Sequence, residues 1–424
     1  MILTSRRLFL GTSFAAFSAA CLVGDDKPSN SAKKTPPETP FNPDTLFLTW
    51  QRDPTTTMTV QWIGAAGETA DTSIAYAALK TESWQTKTPK VRPYPRTDLK
   101  VFRAELTGLK PGTDYRFRIG KESPTYRFRT MPAKATDAVH FVSGGDCGVN
   151  VHAVANNIQA ARQDPMFALI GGDLGYDNGT SAATSLAFVR NYSKHMIGRD
   201  GRLIPLIAAI GNHEVDGRYS MPRAKAPFFY ALFDGLYPEK GFASLDFGDY
   251  LSLVLLDTDH TTPIAGEQTD WLEKTLRARK DHPNVFVVNH VPAYPSYRNP
   301  ESVNGKDGTG AENREHWVPL FEKYRVPVVL EHHDHTFKRT KPLLGGLSHH
   351  NGVLYLGDGS WGKLRTPKSP DKLSYLAASS SDYHLSLHRI QGKERFHLAL
   401  DERGRVMDAC HSGQRKTGLV PASS

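Results

Sequence analysis

Short apolar runs recur from residue 138 onward, and five of them end in an Asp, Asn or His. They cover 138–143, 167–170, 206–210, 285–288 and 326–330. Their ends read Gly144-Gly145-Asp146, Gly171-Gly172-Asp173-Leu174-Gly175-Tyr176, Gly211-Asn212-His213-Glu214, Asn289-His290 and Glu331-His332-His333-Asp334-His335. Apolar runs of this length, bounded by glycine, read as buried strands. Two further runs, 251–256 and 353–356, and helix-like stretches at 151–163, 266–280 and 313–325 alternate with them. In the second stretch Trp271, Leu272 and Leu276 fall on one face. Alternating β and α elements predict a layered α/β domain over 136–412. Ligands of open α/β sheets gather beyond the carboxyl ends of the strands. Parallel strands of one sheet share that edge, so Asp146, Asp173, Tyr176, Asn212, His290, His333 and His335 can pool there. Taken singly, each has an ordinary structural role, as a turn residue, a helix cap or a hydrogen-bonded core histidine. Five such ends in order point to metal ligation.

The preceding segment, 44–132, carries strand and turn signals only. Residues 46–50 and 57–62 alternate at period two, and turn residues separate further short strands such as 72–77 and 101–106. The stretch Leu109-Lys110-Pro111-Gly112-Thr113-Asp114-Tyr115 resembles the tyrosine corner of fibronectin type III sandwiches. No catalytic constellation appears there, so the domain reads as a spacer or scaffold.

Composition excludes several classes. Hydrophobic residues make up 39% and charged residues 23% of 424 residues, which no disordered, collagen-like or coiled-coil chain combines. The net charge of +8 suits anionic substrates but is too weak and dispersed to argue for nucleic acid. Three cysteines make no disulfide framework. Residues 1–20 read as a removable signal, and Ser5-Arg6-Arg7-Leu8-Phe9-Leu10 resembles a twin-arginine export signal. Cys21 follows Ser18-Ala19-Ala20 much as in a lipoprotein box, and 21–43 is a polar, Pro-rich tether. These features imply an exported, periplasmic or cell-envelope location. Lipidated Cys21 would provide membrane attachment; a freely soluble exported protein is the alternative. Residues 413–424 read as a tail, and oligomeric state is not legible.

The ordered motifs resemble those of the calcineurin-like metallophosphoesterases. Tyr176, three residues after Asp173, narrows the likeness to the purple acid phosphatases, many of which carry a fibronectin-like N-terminal domain. The implied fold is a layered metallophosphoesterase sandwich, two sheets flanked by helices, preceded by a small all-β sandwich. The resemblance further implies that Asp146, Tyr176 and His335 hold Fe(III). Asn212, His290 and His333 would hold a second, divalent metal (Zn, Mn or Fe(II)), and Asp173 would bridge the two. Carboxylate and phenolate are hard anionic donors suited to Fe(III), and imidazole suits Zn or Fe(II). His213 would act on the leaving oxygen, as an imidazole can near its pKa. The implied activity is hydrolysis of small phosphate monoesters by hydroxide formed at the metals. A phosphodiesterase on the same site, or a surface-anchored binding protein, would share these motifs. D-type alkaline phosphatases also pair twin-arginine export with an Ig-like domain, but Tyr176 and the Asn212-His213-Glu214 set argue against them.

His332 stands where the family pattern has glycine. The loop after His290 lacks the further histidines of plant-type members, which leaves Tyr294, Tyr297 and Arg298 as candidates to line the pocket. Trp361 reads as a pocket wall, Asp358 as a turn residue and Lys338-Arg339 as a solvated pair. Cys147 reads as a buried small residue. His349, His350, His384 and His388 read as surface or structural, and Asp257 and Asp259 fall outside the motif set.

Overall fold

The computed structural model describes residues 41–135, 139–302 and 306–413. The expected signal, most of the tether and nearly all of the tail lie outside these residues.

The first described strands are short and antiparallel. Phe47–Thr49, Met58–Gly64, Lys100–Leu106 and Lys90–Pro93 pair in that order into one sheet. Gln85–Lys87, Ile74–Ala78, Asp114–Ile119 and Tyr126–Arg129 form a second. Alternate residues of these strands point inward, where Trp62 stacks on Phe102 with ring centroids 4.8 Å apart and Tyr115 on Phe128 at 5.1 Å. The Tyr115 hydroxyl accepts from the Lys110 N–H at 2.9 Å, the bond of a tyrosine corner. The domain is thus an all-β sandwich.

The α/β part is built on two large sheets, beside a small two-stranded one of Leu343–Leu344 and Leu347–Ser348. Leu206–Ala208, Ala168–Ile170 and Val139–Gly144 run parallel, and His384–Gln391, Glu394–Asp401 and Val406–Ser412 extend this sheet antiparallel. The other sheet has Leu251–Leu255, Val285–Asn289, Val328–Glu331 and Leu354–Asp358 as a parallel centre, with antiparallel strands at both edges. The facing surfaces meet at aromatic contacts such as Phe141 on Phe286, 5.4 Å apart edge to face. The central strands are buried along their whole length, as parallel strands covered on both faces must be. Helix Glu267–Ala278 seats Leu272 and Leu276 against Val254, Val287 and Val329 of the second sheet. Helix Val151–Arg162 packs beside helix Ala182–His195 on the first sheet's side. The motif-bearing ends therefore come from two sheets, three strands from one and two from the other, rather than from a single edge.

Sandwich and α/β domain share one core. Trp50 packs edge-on against Phe167 and Phe247, with centroids 6.1 and 5.9 Å away. Beside it Arg103 is 8% exposed and donates to the Ala231 and Leu232 carbonyls at 2.9 and 2.8 Å, as well as to Gln61 and the Asp234 carboxylate. Arg92 also pairs with Asp234. Only a guanidinium offers donors fanned out to reach all four acceptors. Arg103→Ala leaves the Ala231 carbonyl without this donor and takes one of two partners from the Leu232 carbonyl and from Asp234. It is expected to cost roughly 3 kcal/mol in denaturant unfolding, with Arg103→Lys recovering only a fraction.

Candidate metal centre

Each motif leaves its strand in a cramped turn, and the His332 ring explains why glycine stands there. A Cβ on Gly171 would lie 1.9 Å from His332 Cε1, and one on Gly145 2.6 Å from His332 Cδ2. The ring's Nδ1 lies 2.9 Å from the Asn289 carbonyl and its Nε2 2.8 Å from Asp358 Oδ1, so it points away from the donor set. Asp358 is accordingly no turn residue. It ends strand Leu354–Asp358 fully buried, between His332 and the Ser143 hydroxyl.

The loops are stitched to one another by backbone. Asp146 N donates to Gly172 O at 3.1 Å, Cys147 N to Asp173 O at 3.0 Å, and Gly362 N to Asp146 O at 3.1 Å. Five candidate donors, Asp146, Asp173, Tyr176, His333 and His335, adopt left-handed backbone at φ between +54° and +66°. Non-glycine residues enter this region at a cost, and a packed surrounding must hold them there.

These turns bring all seven candidate donors together. Asp146, Asp173 and His335 place ligand atoms within 4.8 Å of one another, and so do Asp173, His290 and His333. Asp173 belongs to both groups. The Tyr176 hydroxyl lies 3.2 Å from Asp146 Oδ1 and 3.0 Å from His335 Nε2, which places it in the first group. Asn212 Oδ1 is 3.1 Å from His290 Nε2, which places it in the second. His290 Nδ1 is 2.8 Å from the Gly171 carbonyl, so its Nε2 faces Asp173 Oδ1 at 3.4 Å. His213 donates its N–H to Asp173 Oδ1 at 2.7 Å, and its Nδ1 contacts Asn178. Its Nε2 lies 4.0 Å from Asp173 Oδ2.

Electrostatics follows from burying carboxylates here. Burial alone would raise the Asp173 pKa, but His290 and the other imidazoles outweigh it and the net shift is downward. Burial likewise opposes the charge on His290, yet Asp173 and Asp146 lift it to about 9. Burial, then the Asp146 charge, pushes the Tyr176 phenol well up.

Two family descriptions match the chain. "Purple acid Phosphatase, N-terminal domain" matches residues 43–130, and "Calcineurin-like phosphoesterase" matches residues 140–337. The chain is a purple acid phosphatase-like member of the calcineurin-like phosphoesterases. Purple acid phosphatase 21 of Arabidopsis thaliana is 25% identical over 341 residues, 74% of each chain. An uncharacterized protein of Mycobacterium tuberculosis is 26% identical over 296 residues, 59% of this chain and 53% of its own length. In fold, the purple acid phosphatase PPD1 of yellow lupin matches with a TM-score of 0.71 at 16% identity, covering 87% of this chain and 73% of that one. PhoD matches at 0.62 and 13%, covering 86% and 92%. The domain pair is that of metal-dependent phosphoric ester hydrolases.

The purple acid phosphatase-like donor set fits a pair of cations. Asp173 Oδ2 and His333 Nδ1 are buried without a hydrogen-bond partner, and two carboxylates converge among imidazoles and a phenol. Asp146 and Tyr176 bring oxygen donors beside His335 on one side of Asp173, and His290 and His333 bring imidazoles beside Asn212 on the other.

Three further expectations change. Trp361 is no pocket wall: it is fully buried beneath Gly144, its indole N–H donating toward Asn157 Oδ1 at 3.0 Å and Ala153 O at 3.2 Å. Tyr294 packs in the core against Tyr355 and Tyr375 rather than facing a substrate. Lys338 is not solvated but 1% exposed, paired with Glu331 and donating to the Tyr294 carbonyl; Arg339 binds Asp408. Arg298 lies near the donor set by holding the His333 carbonyl at 2.6 Å and Asp334 at 2.9 Å. His384 and His388 are buried and structural.

Sequence reasoning missed Asn178, Tyr219 and the work of Glu214. The Tyr219 hydroxyl is 3.3 Å from His333 Nε2. Glu214 accepts from the N–H groups of Asp173, Leu174 and Gly211 at 2.7–2.8 Å, gripping the two turns that carry Asp173 and Asn212. Its place after Asn212-His213 was the available signal. Glu214→Gln turns one acceptor into a donor facing an N–H. We expect a 10–100-fold loss of metal affinity with the fold retained, read by metal titration beside circular dichroism.

Proposed function

We propose that the protein is an exported phosphatase that hydrolyses phosphate monoesters at a dinuclear metal centre. The observation that carries this reading is Asp173, a carboxylate common to two donor groups whose unlike chemistry suits two unlike ions. In this proposal Asp146, Tyr176 and His335 hold Fe(III), Asn212, His290 and His333 hold a Zn, Mn or Fe(II) ion, and Asp173 bridges. Such ions, when bound, supply an activated water and fixed positive charge for the phosphate oxygens.

The chain's own residues do the rest. The Gly171 carbonyl orients His290 through Nδ1, which leaves Nε2 free for ligation. Asn178 fixes His213 through Nδ1, so Nε2 faces the site and can bond or protonate a departing oxygen. Burial lowers the His213 pKa while Asp173 opposes it. The Tyr176 phenol is held protonated by its surroundings, so ionising it requires a bound cation of high charge.

The twin-arginine-like segment, with the tether and Cys21, supports export and attachment to the cell envelope; cell fractionation checks the location. Among the described residues no helix is long and apolar enough to cross a membrane.

The metal-reconstituted protein is expected to hydrolyse an aryl phosphate monoester in preference to the matched diester. His290→Ala should abolish that turnover. His213→Ala should keep both metals and lose 10²–10⁴-fold in kcat. Diester preference would make the protein a phosphodiesterase, and full activity in His213→Ala would remove that residue's role. Iron-loaded protein is also expected to absorb broadly in the visible, and Tyr176→Phe to abolish the band. A colourless iron-loaded wild type would overturn the tyrosinate assignment.

A further inference from the structure

One segment runs across the donor set without contributing a donor. Residues 361–368 start beneath Asp146, where Gly362 N donates to the Asp146 carbonyl and Gly362 O accepts from Asn150. The segment passes Tyr176, where Lys363 Nζ stands 4.4 Å from the ring centroid. It reaches His335, whose carbonyl accepts from Arg365 N at 2.8 Å and whose Nδ1 lies 3.3 Å from Arg365 Nε. It ends at Ser296, whose carbonyl accepts from Lys368 N at 2.7 Å. Arg365 also covers the Tyr297 ring at 4.7 Å.

The segment thus lays Lys363 and Arg365 along the Tyr176–His335 side of the site, with Lys368 at its far end beside Ser296. Among the described residues none of the three has a carboxylate within 4 Å, whereas Arg298, across the donor set, is paired with Asp334. All three are partly buried rather than fully solvated. Lys363 and Arg365 lie over aromatic rings but have no counter-ion, and beside a centre that itself takes cations they repel it and one another. A ligand with more negative charge than one phosphoryl group removes that conflict. The opposite side differs in sign: the cavity of about 340 Å³ beside His333 has Asp307 and Glu312 in its wall along with Arg298.

We propose that the 361–368 segment is a subsite for a second anionic group, with Lys363 as its principal contact. Resting on the monoester reading above, this makes the substrate a phosphate ester that carries a further phosphate or carboxylate on its alcohol. The scissile phosphoryl group would lie at the metals and the distal anion over Lys363, with Arg365 and Lys368 extending the field.

Three esters of one chain length separate the arms: propyl phosphate, 3-phosphooxypropanoate and propane-1,3-diyl bisphosphate. With metal-reconstituted protein, kcat/KM for at least one anionic ester should exceed that for propyl phosphate at least tenfold, chiefly through KM and less at high salt. Which ester gains identifies carboxylate or phosphate as the distal group. Lys363→Gln should bring the ratio near one, Lys363→Glu should reverse it, and Lys363→Arg should keep most of it. Equal kcat/KM for all three esters in the wild type, or a ratio unchanged in Lys363→Gln, would overturn the subsite while leaving monoester hydrolysis intact. Failure to hydrolyse propyl phosphate and aryl monoesters alike would instead overturn the monoester reading, and the subsite with it.

Discussion

Two buried carboxylates, Asp146 and Asp173, set the terms for the molecule. Both are fully shielded from water, and both sit in left-handed turns that their side chains do not favour. Charge of one sign in a dry place must be matched by charge of the other. Imidazoles from the opposite sheet do part of this, and the turns are locked so that they cannot relax outward. The locks are mutual: Asp146 takes its backbone bonds from the Asp173 turn and the 361–362 turn, and its Oδ2 accepts the His333 N–H at 2.7 Å. Asp173 hangs from Glu214 through its own N–H. Removing any one turn loosens the others, so the centre behaves as one object built from the five motif segments and the 361–362 turn.

The glycines belong to the same constraint. Gly145 and Gly171 leave room for His332, a bulky ring that occupies the space between the two sheets' motif ends. That ring fastens to Asn289 O, one residue before His290, and to Asp358 across the sheet. A position where the family pattern has glycine here carries a side chain that holds the neighbouring strands in register with the donors.

How much of this is legible in sequence follows from range. The seven donors can be named because they stand at the ends of only five strands, so residue type and local order suffice. The sandwich is legible because period-two alternation and the Pro-Gly turn are local. What escapes depends on distance in space. Asn178 meets His213 across 35 residues, Glu214 grips Asp173 across 41, and Tyr219 reaches His333 across 114. Aromatic residues mislead in the same way, since Trp361 and Tyr294 after strand ends read equally as pocket wall or core, and both turn inward. Lys338 reads as solvated because its partner Glu331 and the Tyr294 carbonyl come together only when the strands pair. The four C-terminal strands from Leu376 to Ser412 carry mixed polarity and no motif, and their strand character comes from pairing.

One of those strands has a bearing on how the protein is made. Val139–Gly144, which delivers Asp146, is bounded on one side by Ala168–Ile170 and on the other by His384–Gln391, with Ser143 touching His388 across 245 residues. During synthesis the first neighbour emerges promptly, whereas the second arrives only after some 245 further residues have been made. Until then the strand has an open edge, and nothing clamps its end in place. Loss of the His384–Gln391 strand would therefore be felt at the centre as surely as loss of a donor.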